Sequence, residues 1–375
     1  MKVRFETSLI NNTYPNGVNS TKTAQNRDFG AHNTVLQNSE INYAYFPNIS
    51  FRGNSEAEAM LKLSDMLLCA YLRKPLMRPS EYNKLSQKLN KRPNIQSAIN
   101  LLQNYMRYLY DVESQVFDLF LDAPHKNKMT FDRVLQMNTP DSLDKLKYKE
   151  IKIMNSANNI IPDLSNAVKE EIVKIRDYSI DLVDEGSFKR KIPLKLLSEV
   201  KGSGQDDEII KKIYRVWYRL PRSSRDYDAF VVNYSTYPHE SIARRLIAPS
   251  KASIEHITPQ SRNGADSLEN YLLASSLVNN ERSSIPLDEY IMLNPSIDIP
   301  NNLQLYLNDF IEYINRKFPM FMDKSHYPEA IQKSILEETN GFVVLDTSNL
   351  KLTKSQIKEN HSPQRLGQKY TIIEK

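Results

Sequence analysis

The chain has 375 residues, enough for two or three domains, and its 40% hydrophobic and 25% charged content excludes a wholly disordered polymer. The net charge is only +5, too small a bias to name a partner by itself. A single cysteine, Cys69, excludes an internal disulfide and a cysteine-built zinc cage, and 9 glycines argue against glycine-rich phosphate loops.

Residues 1–54 are polar and rich in Asn, Thr and Ser. The first dozen residues lack the apolar stretch of a secretory leader, so none is expected. Pro15-Asn16-Gly17 reads as a turn, and Ile41–Phe46 and Ile49–Phe51 read as short strands. Residues 55–201 read as a mainly helical domain. Ser55 and Glu58 have the spacing of a capping box, and Met60, Leu63, Leu67, Ala70 and Tyr71 then recur at helical intervals. Pro75 and Pro79 are expected to end that helix, leaving Cys69 as a buried structural thiol inside it. Further helices are expected over 95–110, 112–121, 130–136 and 164–183.

Lys201-Gly202-Ser203-Gly204-Gln205 reads as a linker, with Asp206 or Asp207 available to cap the helix that follows. A second domain is expected over 206–300. It opens with a helix through Ile209, Ile213 and Trp217, then a strand over Phe230–Tyr234 and a short basic helix over Ser241–Ile247. Residues 301–375 read as an extension: an amphipathic helix over 301–317, a helix over 329–338, a strand over Phe342–Leu345 and a polar basic tail. The expected class is α+β, mainly helical. No apolar run approaches the ~20 residues of a membrane span. With the lone cysteine, this fits a reducing, cytoplasmic setting.

Charge is uneven along the chain. Residues 187–282 hold 16 basic and 11 acidic residues, and 351–375 hold 6 basic and 2 acidic. The second half therefore permits a polyanion, although a solvated basic surface reads equally well from charge alone.

The segment Ser253–Ser284 reads as strand, loop, strand, helix. Ile254–Ile257 forms the first strand, closed by Pro259. A polar loop with an Asn263-Gly264 turn leads to a second strand over Tyr271–Ala274. Ser275 or Ser276 caps a helix carrying Asn279, Asn280 and Arg282. Glu255-His256, Asn270 and Asn279 then stand in the order and spacing of the HNH, or ββα-metal, nuclease motif, which this segment closely resembles. The resemblance implies that Glu255 and Asn279 are metal ligands, that His256 is the general base, and that Asn270 pins the loop and orients the base. It also implies phosphodiester hydrolysis leaving 5′-phosphate and 3′-hydroxyl ends, with DNA as the expected polymer and Mg²⁺ or Mn²⁺ as the cofactor.

These residue types suit that chemistry. An imidazole titrates near neutrality and can take a proton from water. A carboxylate and an amide oxygen are hard donors suited to Mg²⁺, which keeps several waters and lets phosphate complete its shell. Arg282, one helical turn beyond Asn279, is expected to hold a phosphate, as is Arg262. Arg244 and Arg245 read as solvated residues or as phosphate contacts. Neighbouring strand residues face opposite sides, so Glu255 and His256 can serve one site only if the strand ends or bulges there. Many family members flank the motif with cysteine pairs that hold a structural zinc; this chain has none, so packing must hold the hairpin.

Other motifs are weaker. Glu150-Ile151-Lys152 matches half of another nuclease signature without an upstream Asp partner, and His239-Glu240 lacks the second His of a zinc protease because position 243 is Ala. No nucleotide-binding P-loop or serine elbow is present. Tyr214, Trp217 and Tyr218, interleaved with Arg215 and Arg219, read mainly as core, with base stacking as the alternative. HNH modules with helical extensions occur in bacterial anti-phage systems, including Septu-type nucleases that work with an ATPase. By that analogy an ATPase partner would dock on the helical N-terminal module. A restriction-type or homing nuclease, or a non-catalytic nucleic-acid adaptor, are the alternative readings.

Overall fold

The computed structural model describes residues 55–122, 146–221, 239–317, 327–348 and 350, which all fall within one compact unit spanning residues 38–375. The expected turn at 15–17, the strands within 41–51 and over 230–234, and the helix over 130–136 lie outside the described residues. The fold is mainly helical α+β, with a single two-stranded sheet among the described residues.

Helix α1 (Ser55–Lys62) and a 3₁₀ turn (Leu63–Asp65) open the described chain. The regular helix thus ends well before Tyr71, where the apolar spacing would carry it. Leu67, Cys69, Ala70 and Tyr71 are buried because this irregular segment lies against the sheet. The Ala70 amide donates to the Leu273 carbonyl at 3.0 Å, and the Ser275 amide donates to Cys69 Sγ at 3.4 Å. Cys69 is thus buried, but outside any helix. Pro79 starts a helix rather than only stopping one: it sits in the first turn of α2 (Pro79–Leu89), where its missing N–H costs nothing. Next come α3 (Ile95–Leu102), capped by Asn94, and α4 (Asp111–Asp122).

Helices α5 (146–156), α6 (Asn166–Asp184), α7 (Lys191–Glu199) and α8 (Gln205–Tyr218) form a second helical group. Asp206 does more than open α8. Its carboxylate accepts from the Ser165 amide at 2.9 Å and from the Ser165 hydroxyl at 2.6 Å, tying the start of α6 to the start of α8.

Helix α9 (His239–Ile247) leads into β1 (Ala252–His256), which pairs antiparallel with β2 (Tyr271–Ser275); Glu255 stands opposite Leu272 and His256 opposite Tyr271. Helix α10 (Ser276–Arg282) follows at once, its first turn capped by the Ser275 hydroxyl on the Val278 amide. Helices α11 (Leu287–Leu293), α12 (Ile299–Lys317) and α13 (Tyr327–Glu338) complete the described elements. Residues 342–345 are not a strand. Val343 and Leu345 are buried, but side chains supply their hydrogen bonds: the Val343 amide donates to the Thr339 hydroxyl at 3.1 Å, and Gln332 donates to the Leu345 carbonyl.

Three apolar clusters organise the molecule. The hairpin's cluster takes Met60, Leu63 and Tyr71 from the N-terminal side, and Tyr306, Phe310, Tyr327 and Ile335 from the C-terminal side. The second cluster joins α5 to α8, with Trp217 fully buried and Met292 packed in. The third sets α2, α3 and α4 against Ile242, Leu246 and Ile247 of α9. The hairpin's core therefore crosses the domain line expected at residue 201. Each large apolar side chain so buried contributes about 1.5–3 kcal/mol. This clasp from both sides holds the hairpin, which has no zinc-binding cysteines to do so.

Candidate active site

Alternation along β1 sorts the motif into two faces. Ser253 and Glu255 face α10. Asn279 Nδ2 donates to Ser253 Oγ at 2.6 Å, and the Arg282 guanidinium donates to Glu255 Oε1. Asn279 and Arg282 are one helical turn apart, so α10 lays both on the same face of β1.

Arg282 is fully buried and also donates to the carbonyls of His256 and Ile257. Expected to hold a phosphate, it instead neutralises Glu255 and ties down the backbone beyond it. It lies 3.7 Å from the Glu338 carboxylate at the end of α13. Glu338 also accepts from Arg262 and, at 3.1 Å, from the Thr258 hydroxyl. A chain of alternating charges thus runs from β1 through α10 to α13 and the loop after β1. Burial pushes the Glu255 carboxyl up to about 7, against the pull of Arg282. One guanidinium does not offset the lost hydration in full.

His256, the last residue of β1, turns to the other side. Its Nε2 lies 3.3 Å from Asp266 Oδ1, and its ring meets Tyr271 edge-on at 5.1 Å between centroids. The Tyr271 hydroxyl donates to the same Asp266 oxygen, and Gln260 Nε2 reaches it at 3.3 Å. Burial lowers the pKa of His256, and Asp266 raises it in opposition. The net direction is downward, which favours the neutral ring able to accept a proton at pH 7.

Asn270 pins the loop. Its Oδ1 accepts from the Thr258 amide at 2.8 Å, and its Nδ2 donates to the Thr258 carbonyl at 2.9 Å and the Ala265 carbonyl at 2.8 Å. Its backbone carbonyl accepts from the Ile257 amide at 2.8 Å. It therefore fixes the chain just after His256; the contact to the imidazole comes from Asp266. Gly264 allows this loop to close, since a Cβ there would stand 1.7 Å from the Thr258 carbonyl oxygen.

Residues 235–285 match the family model described as HNH endonuclease. The matched span contains Glu255, His256, Asn270 and Asn279, with the hairpin and helix just described. This chain carries an HNH endonuclease module. It is therefore a nuclease, a phosphodiester hydrolase acting on nucleic acid. A search of curated proteins and a search of solved structures gave no match.

Within the matched span, two arginines expected to meet substrate have other partners. Arg245 is 8% exposed and paired with Glu113 of α4 at 2.8 Å. Arg262 is bound to Glu338, although its side chain stays 42% exposed. Arg244 is half-buried and bonds within its own helix, to the Ser241 hydroxyl and the Glu240 carbonyl. Arg215 and Arg219 both bind the buried Glu289 of α11, which favours the core reading of α8 over base stacking.

Sequence reasoning missed Asp266 and Glu338. Asp266 follows His256 by ten residues in a polar loop, a spacing that signals nothing alone. Glu338 reaches the module from a helix distant in sequence, and only the fold brings it there.

HNH nucleases are generally dependent on a divalent metal. No group of three His, Cys, Asp or Glu side chains suited to a metal occurs among the described residues. Mg²⁺ commonly takes one or two protein carboxylates and completes its shell with water and phosphate. The donor types suit a hard cation, but both side chains are engaged here: Glu255 is buried and accepts from Arg282, and the Asn279 amide nitrogen donates to Ser253. No helix among the described residues is long and apolar enough to cross a membrane.

Proposed function

We propose that this HNH module hydrolyses DNA with His256 as the general base; Glu255 and Asn279, which lie on the other face of β1 bound to Arg282 and Ser253, would hold Mg²⁺ or Mn²⁺ beside it once those contacts are exchanged. A half-buried imidazole at the end of β1, its pKa lowered by burial, beside a loop fastened by Asn270, is what carries the reading. His256 takes a proton from water as the water oxygen bonds to phosphorus, and the P–O3′ bond breaks with the leaving 3′ oxygen taking a proton from solvent. This leaves a 5′-phosphate and a 3′-hydroxyl. The cation, when bound, neutralises charge building on the phosphoryl oxygens. Asn270 keeps the backbone on either side of Thr258 fixed while this happens. Half-buried Arg244 and the exposed part of Arg262 are the arginines proposed to contact a phosphate backbone.

The wider role follows by analogy: a cytoplasmic anti-phage nuclease, with nucleotide control supplied by a partner ATPase docked on the N-terminal helical region.

A second reading rests on the fully buried Arg282: if its pairing with Glu255 is permanent, the module binds nucleic acid without cutting. Plasmid and RNA incubated with Mg²⁺ or EDTA, beside His256→Ala, separate the two. Mg²⁺-dependent nicking of plasmid by the wild type, lost in the variant with binding retained, supports the nuclease reading. Equal cutting by both proteins moves the active site elsewhere. No cutting even with Mn²⁺, with binding intact, favours the adaptor.

A further inference from the structure

We infer that Asp266 is a positioning residue that fixes the orientation and tautomer of the His256 ring, and that the buried Tyr271 hydroxyl holds Asp266 in place to do so. The inference rests on the reading of His256 as the base and assigns it a dedicated orienting pair.

Three observations carry it. First, Asp266 Oδ1 stands 3.3 Å from His256 Nε2, within reach of a charge-assisted hydrogen bond. An Nε2 without its proton would turn a lone pair toward a carboxylate oxygen, which is repulsive. Asp266 therefore selects the tautomer with hydrogen on Nε2 and leaves Nδ1 as the atom able to accept a proton. Second, Asp266 is itself anchored. Its side chain is 56% exposed, yet the same oxygen accepts from the hydroxyl of Tyr271, whose residue is fully buried in β2 opposite His256. An exposed loop carboxylate alone would swing; one tied to a buried strand residue does not. Third, the Tyr271 ring packs edge-on against the imidazole at 5.1 Å and 87°. Tyr271 thus restrains the imidazole directly by its ring and indirectly by its hydroxyl.

The arrangement follows the logic of a nucleophile-activating base held by a third group, with Asp266 in the orienting place. Asn270 plays a different part, since it holds backbone around Thr258 while Asp266 holds the ring. Gln260 adds a weaker donor to the same oxygen at 3.3 Å.

The test reads the ring itself as well as turnover. In metal-free, ¹⁵N-histidine-labelled protein at pH 8, long-range ¹H–¹⁵N spectra distinguish protonated from unprotonated ring nitrogens, and a His256→Gln sample assigns the signal among the 6 histidines. Wild type is expected to show Nε2 protonated and Nδ1 bare. Asp266→Ala should mix the tautomers and bring the two shifts together. Asp266→Asn, which keeps an acceptor oxygen, should restore most of the separation, and Tyr271→Phe should fall between. In Mg²⁺-dependent nicking, Asp266→Ala should lower kcat about tenfold or more while KM stays unchanged.

An Asp266→Ala spectrum identical to wild type, with kcat unchanged, overturns the inference while leaving His256 as base intact. Merged tautomers in Asp266→Ala, with no cutting by any protein including wild type, uphold the orienting pair and instead remove the nuclease reading.

Discussion

The two faces of β1 treat charge in opposite ways. Toward α10, Glu255 and Arg282 are buried and clamped, with Glu338 and Arg262 extending the chain of charges. Toward the loop, His256 and Asp266 keep some solvent access and meet through one longer hydrogen bond. The clamp fixes where α10 and α13 sit against the strand; the loop side leaves a titratable ring able to exchange a proton. An arginine's place near the motif is therefore no evidence that it meets substrate: the most motif-proximal arginine, Arg282, is the least accessible.

This contrast can be broken at either face. The largest expected effect is on the loop side: His256→Ala should lower Mg²⁺-dependent cleavage by roughly 10²–10⁴-fold and leave the melting temperature nearly unchanged. On the clamp side, Arg282→Met should destabilise the protein by about 3–5 kcal/mol in chemical denaturation, because Glu255 and Glu338 lose their shared cation inside the protein. Adding Glu255→Gln to that variant should recover part of the loss, since the remaining side chain carries no charge. No recovery in the double variant would show that packing, not charge, sets the cost.

Asn270→Ala sharpens the comparison. It removes three side-chain hydrogen bonds that fasten the loop between the two faces, and should cost about 2–3 kcal/mol together with a fall in kcat. A stability loss with unchanged kcat would mean the loop does not position the base.

The smallest effect lies outside the HNH module and serves as a control. Burial pushes Glu150 of α5 up to about 7, so its charged form is disfavoured in the folded state. Below pH 4.5 the group is protonated both folded and unfolded and costs nothing. As pH rises through about 7 the penalty reaches its full size. Glu150→Gln should therefore stabilise the protein at pH 8, by about 1 kcal/mol after allowing for solvent screening, and have little effect at pH 4. Equal stabilisation at both pH values would show that packing rather than titration is responsible. Cleavage should be unaffected.

The four motif positions are visible in the sequence through the family resemblance, because strand, loop, strand and helix are contiguous there; that Glu255 and His256 turn to opposite faces of β1 is not. Asp266 and Glu338 are not, since their roles arise from a loop fold and from a helix some eighty residues on in the chain. Arg282 is visible, but its burial is not: helical spacing places it beside Asn279 without saying that α13 closes over it. The apolar residues after Lys62 read as helix because burial on a sheet and burial on a helix leave the same residue types behind. Pro79 reads as a stop, whereas a proline in the first turn of a helix is equally a start.

The most direct test is the nicking rate of plasmid in Mg²⁺ by wild type and His256→Ala, with both proteins shown by melting curves to be equally folded. The account predicts robust cutting by the first, abolished by EDTA, and almost none by the second. Cutting by His256→Ala at the wild-type rate would contradict it.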